Sequence, residues 1–346
     1  MTASFTTDRA IPVTPLPRFV QIEPVGQCNL RCRMCPIQFR PDGGPGRPPA
    51  FMPYEAYCAL VDQFVGMTEL QLQGMGEPML HPRFFDMVAY AAARGISVST
   101  NTNLTVLSER RAEECIRSGL ARVHVSLDAP TAGSYEYIRV RAHFDRVLRN
   151  LRRLLAARTR LGASGPDIQL VTVVMRRNLR ELSGLVRLAH DLGIATVSVQ
   201  HLCHDFSEST LPERYRSMRE FVESETLDGE DPGHVETHFE EARQAAEALG
   251  VALRLPNLKA RAHAPAVSGS RRRCDWPWRG AYVSFEGNAM PCCMVATPDR
   301  ISFGNMRFEG VEAVWNNAAY QAFRASLEHG PPPGVCAGCA IYAGKF

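Results

Sequence analysis

The chain has 346 residues, of which 45% are hydrophobic and 22% are charged, and its formal net charge at pH 7 is +3. This is an ordinary globular composition, long enough for one large or two ordinary domains, and the small net charge does not indicate a nucleic-acid partner. No run of about 18 apolar residues could span a membrane, and the first ten residues lack the apolar core of a signal peptide. We therefore expect a cytoplasmic protein that binds neither nucleic acid nor membrane.

Most of the eleven cysteines fall into two groups. Three lie within residues 28–35 and five lie within residues 274–339. In a reducing compartment, clustered cysteines are typical of metal or redox ligands rather than of disulfides. The sequence therefore predicts two separate metal centres.

The first 205 residues predict a short leading segment followed by alternating strands and helices. Residues 1–17 are proline-rich and aperiodic, too short for an extra recognition domain. The predicted strands are 18–23, 69–73, 96–101, 122–128, 168–175 and 196–202. Such βα alternation requires a parallel sheet. At roughly 30 residues per unit the segment holds about six units, fewer than a closed eight-unit barrel needs. We therefore expect a partial barrel.

The loop after the first predicted strand carries Cys28, Cys32 and Cys35. Three thiolates on one loop can converge on one metal centre, because soft sulfur ligands select zinc, copper(I) or an iron–sulfur cluster. A fourth ligand is missing from the loop, which suggests a cluster with one iron open to a ligand that is not protein. The alternative, three unrelated buried thiols, fits poorly with the polar loop residues Asn29, Arg31 and Arg33.

Polar side chains recur at every second position along the predicted strands, and apolar residues fill the alternate positions. If the apolar faces pack on helices, the polar faces line an open interior that holds water or a polar substrate. The positions on the polar face are Gln21, Glu23, Gln71, Gln73, Ser97, Ser99, Asn101, His124, Ser126, Asp128, Ser198 and Gln200.

The rest of the chain divides into a predicted helical linker, residues 206–266, and a small domain, residues 267–346. The small domain begins with a predicted hairpin over residues 281–293. Its candidate ligands are Cys274, Cys292, Cys336 and Cys339. Metal binding would supply folding energy to a region with little core of its own. Four cysteines also suit zinc, which stays open as an alternative.

The cysteine loop and the segment Gly74-Met-Gly-Glu77-Pro78 at the end of the second predicted strand together resemble the radical S-adenosylmethionine (SAM) superfamily. The resemblance implies that the three loop cysteines hold a [4Fe-4S] cluster, whose open iron takes the amino and carboxylate groups of SAM. It also implies an external one-electron reductant such as flavodoxin or ferredoxin.

The C-terminal cysteine pattern, with Gly304-Asn305 before a helix containing Trp315, resembles the SPASM/twitch extension of these enzymes. The absence of two further downstream cysteines favours the shorter twitch form with one auxiliary [4Fe-4S] cluster. The expected fold is therefore α/β: a partial (β/α)6 radical SAM barrel over residues 18–205, followed by a small α+β twitch domain.

The resemblance also implies a set of SAM contacts. The position before the third cysteine is usually aromatic in this family and is Met34 here, whose backbone could meet the adenine. Ser126 and Asp128 are implied ribose ligands, and Gln200 or His201 would lie near adenine. The full implied set is Met34, Gly74, Gly76, Glu77, Asn101, Ser126, Asp128, Gln200 and His201. Arg139 and Arg141 could pair with a carboxylate, but solvated charges are the more common explanation.

Three reactions compete once a 5′-deoxyadenosyl radical has taken hydrogen from a substrate carbon: epimerisation, dehydrogenation through the auxiliary cluster, and peptide maturation. The polar interior and the short leading segment favour a small sugar or aminoglycoside-like substrate. Epimerisation needs a thiol outside both clusters. Cys58 and Cys115 lie on predicted helices, which leaves Cys203 and Cys293 as candidate hydrogen donors. We expect epimerisation, with dehydrogenation as the alternative.

Overall fold

A computed structural model describes residues 13–41, 50–202, 206, 211–258 and 274–342. The strands are β1 Phe19–Ile22, β2 Glu69–Leu72, β3 Ser97–Thr102, β4 Arg122–Ser126, β5 Asp167–Val174, β6 Thr196–His201, β7 Ala252–Arg254, β8 Gly280–Val283 and β9 Ala289–Met290. The helices are α1 Tyr54–Gln63, α2 Phe84–Ala92, α3 Glu109–Arg117, α4 Ala132–Ile138, α5 Phe144–Arg160, α6 Leu182–Asp191, α7 Arg216–Glu225, α8 Pro232–Leu249, α9 Trp276–Arg279, α10 Met306–Glu309, α11 Val311–Trp315, α12 Ala318–His329 and α13 Gly334–Ala337. Short 3-10 helices cover Pro36–Phe39 and Pro78–Leu80.

The described strands form one sheet in the order β7-β6-β5-β4-β3-β2-β1-β8-β9. Strands β1 to β7 run parallel to their neighbours, which requires the crossover helices between them. The sheet order does not close on itself, as expected for a partial barrel. The predicted α/β fold, with a barrel followed by a small C-terminal domain, is confirmed.

The C-terminal hairpin joins the barrel sheet. Strand β8 pairs in parallel with β1, with Ile22 opposite Val283, and β9 returns antiparallel to β8. The sequence predicted the hairpin but not this pairing, because residues about 260 positions apart give no local signal. The two cysteine-bearing parts of the chain therefore share a single backbone framework.

The segment predicted as a helical linker also supplies a strand. Helix α8 is capped by Asp231, whose carboxylate accepts the N–H groups of Gly233 and His234, and it ends at Gly250 in the left-handed conformation. The chain then enters β7, which pairs in parallel with β6. At three residues, β7 is too short for its side-chain pattern to be recognised in the sequence.

Burial along the strands follows the predicted alternation. Val20, Leu70, Val98 and Val123 are fully buried on the apolar face. Their neighbours on the other face keep partial exposure, as at Gln71, Ser99, His124 and Ser198. Other positions of the predicted polar face, Gln21, Glu23 and Asp128, are buried, so this face is accessible only in part. Among the described residues, no helix is both long and apolar enough to cross a membrane.

Glu23, just after β1, is fully buried and binds three separate parts of the chain. Its Oε1 lies 2.7 Å from Nη1 of Arg40, which is itself 2% exposed. The same oxygen accepts the N–H of Met75 at 3.0 Å and the hydroxyl of Tyr282 at 3.3 Å. Because a buried carboxylate is costly without partners, these contacts fix the surrounding loops against β1.

We predict that Arg40→Met destabilises the fold by about 3–5 kcal/mol, because it leaves the Glu23 carboxylate buried without its cation. The matched control is Arg83→Met, which removes exposed ion pairs with Asp86 and Glu55 and should leave the stability close to that of the wild type. Urea unfolding followed by fluorescence and circular dichroism measures both variants. Equal losses of stability in the two variants would contradict this account.

Candidate active site

The three loop cysteines line one cavity of about 220 Å³, called here the cysteine cavity. The loop is held from outside by backbone hydrogen bonds from Arg31 N–H to the Val140 carbonyl at 2.9 Å and from Arg33 N–H to the Ile138 carbonyl at 3.1 Å. Inside the loop, the Cys35 N–H donates to the Cys32 carbonyl at 3.0 Å. The cysteines are therefore presented by an ordered loop at the carboxyl end of β1.

The thiols in this cavity are strongly desolvated. Burial raises the pKa values of Cys28 and Cys32 and raises the pKa of Cys35 to about 12. Thiolates in such surroundings need a positive centre beside them, since only the thiolate form ligates metal. Three desolvated sulfur donors on one loop therefore fit an iron–sulfur cluster.

Glu77 fixes the turn after β2 and has no free carboxylate oxygen. Its Oε1 accepts the Thr102 hydroxyl at 2.6 Å and the Met79 N–H at 3.1 Å, and its Oε2 accepts the Asn103 N–H at 2.7 Å. The carboxylate thus ties the turn to the end of β3. Residues 74–77 all line the cysteine cavity, so the backbone carbonyls of the turn and the remaining acceptor site of the Glu77 carboxylate are both at hand for a ligand.

Gly74 and Gly76 both line the cysteine cavity, but contacts on the other side of the backbone are what require glycine at these positions. An added Cβ at Gly74 would lie 1.8 Å from Cγ of Glu23, and one at Gly76 would lie 2.1 Å from the carbonyl oxygen of Val25. The family resemblance places both glycines among the SAM contacts, where a backbone without a side chain lets a ligand approach closely. The structure shows that packing against β1 and its loop already requires them.

The structure brings almost all of the predicted SAM contacts around the cysteine cavity. Besides the three cysteines and the glycine turn, the cavity is lined by Met34, Asn101, Ser126, Gln200 and His201. The His201 imidazole is oriented by a 2.8 Å hydrogen bond between Nε2 and the carbonyl of Asn257. Asn103 also lines the cavity, and its Nδ2 lies 3.6 Å from Cys28 Sγ, so the end of β3 contributes more than was predicted.

Asp128 is not among the residues that line this cavity. It is 1% exposed, and its Oδ2 lies 2.7 Å from Nε of Arg139 while its Oδ1 accepts the N–H of Val173 at 2.9 Å. Asp128 therefore acts on the site through Arg139 instead of presenting its carboxylate to a ribose.

Arg139 lies at the cysteine cavity, although it was not among the predicted SAM contacts. Of the two explanations considered for it, pairing with a carboxylate and a solvated charge, the structure shows the pairing: Arg139 is 9% exposed, lines the cysteine cavity and places Nη1 4.0 Å from Cys32 Sγ. Its apolar neighbours Ile138 and Val140 were the available signal, since an arginine in such a run is often buried with a partner. The guanidinium puts a positive charge beside the cluster loop.

The four predicted auxiliary ligands, Cys274, Cys292, Cys336 and Cys339, line a second cavity with mostly apolar walls. Burial raises the pKa of Cys274 to about 11 and that of Cys336 to about 12. In the described residues, no three histidine, cysteine or acidic side chains are placed to share a single metal ion. Four sulfur donors around one cavity fit an iron–sulfur cluster, where each cysteine binds its own iron; a four-cysteine zinc site uses the same residue type.

Of the two candidate hydrogen donors, the structure describes Cys293, which lies near the auxiliary cysteines. Cys293 is not among the residues lining the cysteine cavity; burial, with Cys339 and Cys274 nearby, raises its pKa to about 12. Cys203 lies outside the described residues, directly after Leu202, which lines the cysteine cavity.

Two family models match the chain. The model described as the radical SAM superfamily matches residues 22–189, and the SPASM model, an iron–sulfur cluster-binding domain, matches residues 274–340. The first match contains the cysteine loop and the glycine turn. The second spans the four auxiliary cysteines.

Curated relatives and solved structures extend these matches over nearly the whole chain. A tungsten-containing aldehyde ferredoxin oxidoreductase cofactor-modifying protein from Pyrococcus furiosus is 25% identical, over 94% of this chain and 87% of the relative. A PqqA peptide cyclase from Xanthomonas euvesicatoria is 26% identical, over 94% and 81% respectively. The structure of Streptococcus suis SuiB bound to S-adenosylmethionine superposes with a TM-score of 0.67 at 14% identity, covering 95% of this chain and 72% of that one.

The predicted cofactors, SAM and [4Fe-4S] clusters, are those of the matched family and fit the sulfur donors of both cavities. The chain therefore belongs to the radical SAM superfamily and carries a C-terminal SPASM iron–sulfur domain.

Proposed function

We propose that this radical SAM enzyme oxidises a C–H-bearing carbon of a small polar substrate held in the barrel interior. The observation that carries the proposal is the cysteine cavity, where Cys28, Cys32 and Cys35 share one space with the residues at the ends of β2, β3, β4 and β6. Ligands of parallel α/β barrels bind at these strand ends. SAM and substrate would therefore meet beside the loop cysteines.

Different residues around the cavity would bind different groups of SAM. The Gly74 to Glu77 turn, which the Glu77 carboxylate ties to the end of β3, would receive the amino group. Arg139 offers a cation to the SAM carboxylate, and Asp128 holds that guanidinium in place. Ser126 and Gln200 present hydrogen-bonding groups at the ends of β4 and β6.

The interior beyond the cavity suits an uncharged polar substrate. Burial, with a smaller effect from Arg122, lowers the pKa of His124 to about 4, so this imidazole is neutral at pH 7. Its Nδ1 lies 2.9 Å from Oδ1 of Asn101. Together with Gln71 and Ser99, it offers hydrogen bonds without net charge. A sugar or aminoglycoside-like molecule fits this chemistry, and the resemblance to a peptide cyclase makes a peptide side chain the rival substrate.

When bound, the two clusters and SAM would supply a 5′-deoxyadenosyl radical that takes a hydrogen atom from the substrate, and an acceptor for the electron left behind. A secondary alcohol becomes a ketone when the substrate radical gives that electron to the acceptor and its hydroxyl proton to solvent. Oxidation is favoured because the four auxiliary cysteines form a complete ligand set, and because Cys293 lies with them instead of in the cysteine cavity.

Epimerisation remains the second candidate because of one observation. Gln200, His201 and Leu202 all line the cysteine cavity, and Cys203 is the next residue in the chain. A thiol there could return a hydrogen atom to the opposite face of the substrate radical. Dehydrogenation would thus end with loss of an electron from the substrate radical, whereas epimerisation would end with gain of a hydrogen atom from a thiol.

We predict about eight iron atoms per chain after anaerobic reconstitution, and about half of that after alanine replacement of Cys28, Cys32 and Cys35, since each cysteine group would hold one four-iron cluster. Iron and sulfide analysis measures this. The control is Cys115→Ala, which removes a buried thiol of α3 and should keep the full iron content. Zinc without iron in the triple variant would contradict the auxiliary cluster.

We predict that Ser126→Ala raises the Kd for SAM by up to about tenfold, because it removes one hydrogen-bonding group from the cavity wall. Calorimetric titration of the reconstituted enzyme with SAM measures the change. Ser97→Ala, at the exposed start of β3, should leave the Kd unchanged. An unchanged Kd in the Ser126 variant would remove that residue from the SAM site.

We predict that turnover in deuterated water with SAM, a strong reductant and candidate sugars gives a product two hydrogens lighter than the substrate, with one deoxyadenosine per product. Mass spectrometry measures both. An isomer carrying one solvent deuterium would instead establish epimerisation, because a thiol exchanges its hydrogen with solvent. In that event Cys203→Ala should abolish isomer formation while deoxyadenosine still forms, and Cys293→Ala serves as the matched control.

A further inference from the structure

A basic surface lies on the outer side of the cysteine loop. Arg33 stands in the chain between Cys32 and Cys35, and it is exposed. The hydrogen bond from its N–H to the Ile138 carbonyl brings the loop against the end of α4. The segment that leaves α4 continues to Arg141, which is also exposed. The Arg31 N–H donates to the carbonyl of Val140 at 2.9 Å, so the backbone next to Arg141 also lies against the cysteine loop.

The aromatic ring of Tyr137 contacts two arginine side chains on this surface. The guanidinium carbon of Arg33 lies 4.2 Å from the ring centroid of Tyr137, and that of Arg177, from the loop after β5, lies 3.8 Å from the same centroid. Arg33 Nε also donates to the Tyr137 carbonyl at 2.9 Å. Tyr137 is one of the few large hydrophobic residues that are exposed, at 37%. We call Arg33, Tyr137, Arg141 and Arg177 the Tyr137 patch.

The positive charge of the Tyr137 patch is only partly balanced within the chain. Arg177 pairs with Glu225 at 3.2 Å, whereas Arg33 and Arg141 have no ion pair with any described carboxylate. The adjacent carboxylate of Glu136 accepts the N–H of Phe144 at 2.8 Å. Cations held close together repel each other, so an arrangement of this kind favours the approach of an anionic surface.

We propose that the Tyr137 patch is the docking surface for an acidic protein that delivers single electrons to the cluster at Cys28, Cys32 and Cys35. The inference rests on the proposed function, because it assumes a cluster that an external donor reduces. The patch includes the residue that directly follows Cys32, so a partner seated there comes as near the cluster loop as the surface allows. The donor loses one electron and the cluster gains it.

Complementary charge explains why the partner would be acidic. Opposite surface charges steer encounter and set the docking register, and their effect weakens with salt. Arginine and tyrosine are also the residue types that dominate binding energy at protein interfaces. A small acidic electron carrier of the flavodoxin or ferredoxin class has the charge and the one-electron chemistry that this surface requires.

The test compares two double variants of equal charge change in the reconstituted enzyme. Arg33→Glu with Arg141→Glu reverses the patch, and Arg152→Glu with Arg187→Glu reverses two exposed arginines on α5 and α6. Binding of an oxidised acidic flavodoxin is measured by titration at low salt. We expect the patch variant to raise the Kd about tenfold or more and the control to change it less than about twofold.

A second readout separates docking from damage to the cluster. SAM cleavage supported by reduced flavodoxin should fall about tenfold in the patch variant, while cleavage supported by reduced methyl viologen stays within about twofold of wild type. Arg33→Gln with Arg141→Gln removes the charge without reversing it and should give an intermediate loss of flavodoxin-supported cleavage. This milder variant shows whether misfolding explains the loss in the charge-reversed variant.

Several outcomes would overturn the proposal. Equal weakening by the α5 and α6 variant would mean that net charge alone matters. Loss of viologen-supported cleavage would mean that the patch supports the cluster loop instead of a partner. Unchanged flavodoxin binding together with weaker binding of an acidic substrate peptide would assign the patch to substrate. Failure of wild-type SAM cleavage with both reductants would refute the proposed function, whereas the binding titration judges the docking surface by itself.

Discussion

The buried carboxylate of Glu23 is the constraint around which the two halves of the molecule are assembled. It lies at the end of β1 and accepts from Arg40, from the N–H of Met75 and from the hydroxyl of Tyr282. These partners belong to the segment after the cysteine loop, the glycine turn and the SPASM strand β8. Because a buried anion requires such partners, the walls of the cysteine cavity and the auxiliary domain are positioned by one charge.

The pairing of β8 with β1 joins the SPASM hairpin to the barrel sheet next to Glu23. Backbone hydrogen bonds continue the barrel sheet into the SPASM hairpin, so the relative position of the two cysteine groups follows from strand register. The ring of Phe285 lies where a Cβ on Gly26 would be, which brings the hairpin directly onto the start of the cysteine loop.

Sequence reasoning recovered the features that are local and missed those that depend on distant pairs. The βα alternation, the polar strand faces and both cysteine groups are periodic or closely spaced, so they could be recognised without a structure. Pairing of Arg139 with a carboxylate could be considered from the sequence, but its partner could not be identified, because Asp128 lies eleven positions earlier on a different element. Arg40 gave no signal, since only the fold shows that it meets a buried carboxylate. Buried ion pairs are set by tertiary contacts that residue patterns do not report.

The choice of substrate depends on a different set of residues from the choice of chemistry. Glu77 and Asp128 are committed to holding the turn and Arg139, so the SAM side of the cavity is fixed by internal hydrogen bonds and an ion pair. The interior side is lined by partly exposed neutral groups such as Gln71, Ser99 and the imidazole of His124. Neutral donors and acceptors discriminate by hydrogen-bond pattern, and a mismatched substrate leaves them unpaired at a cost of about 1–3 kcal/mol each. Under the proposed function, the polar strand faces would therefore select the substrate, while the cysteine loop would hold the cluster that starts the radical chemistry.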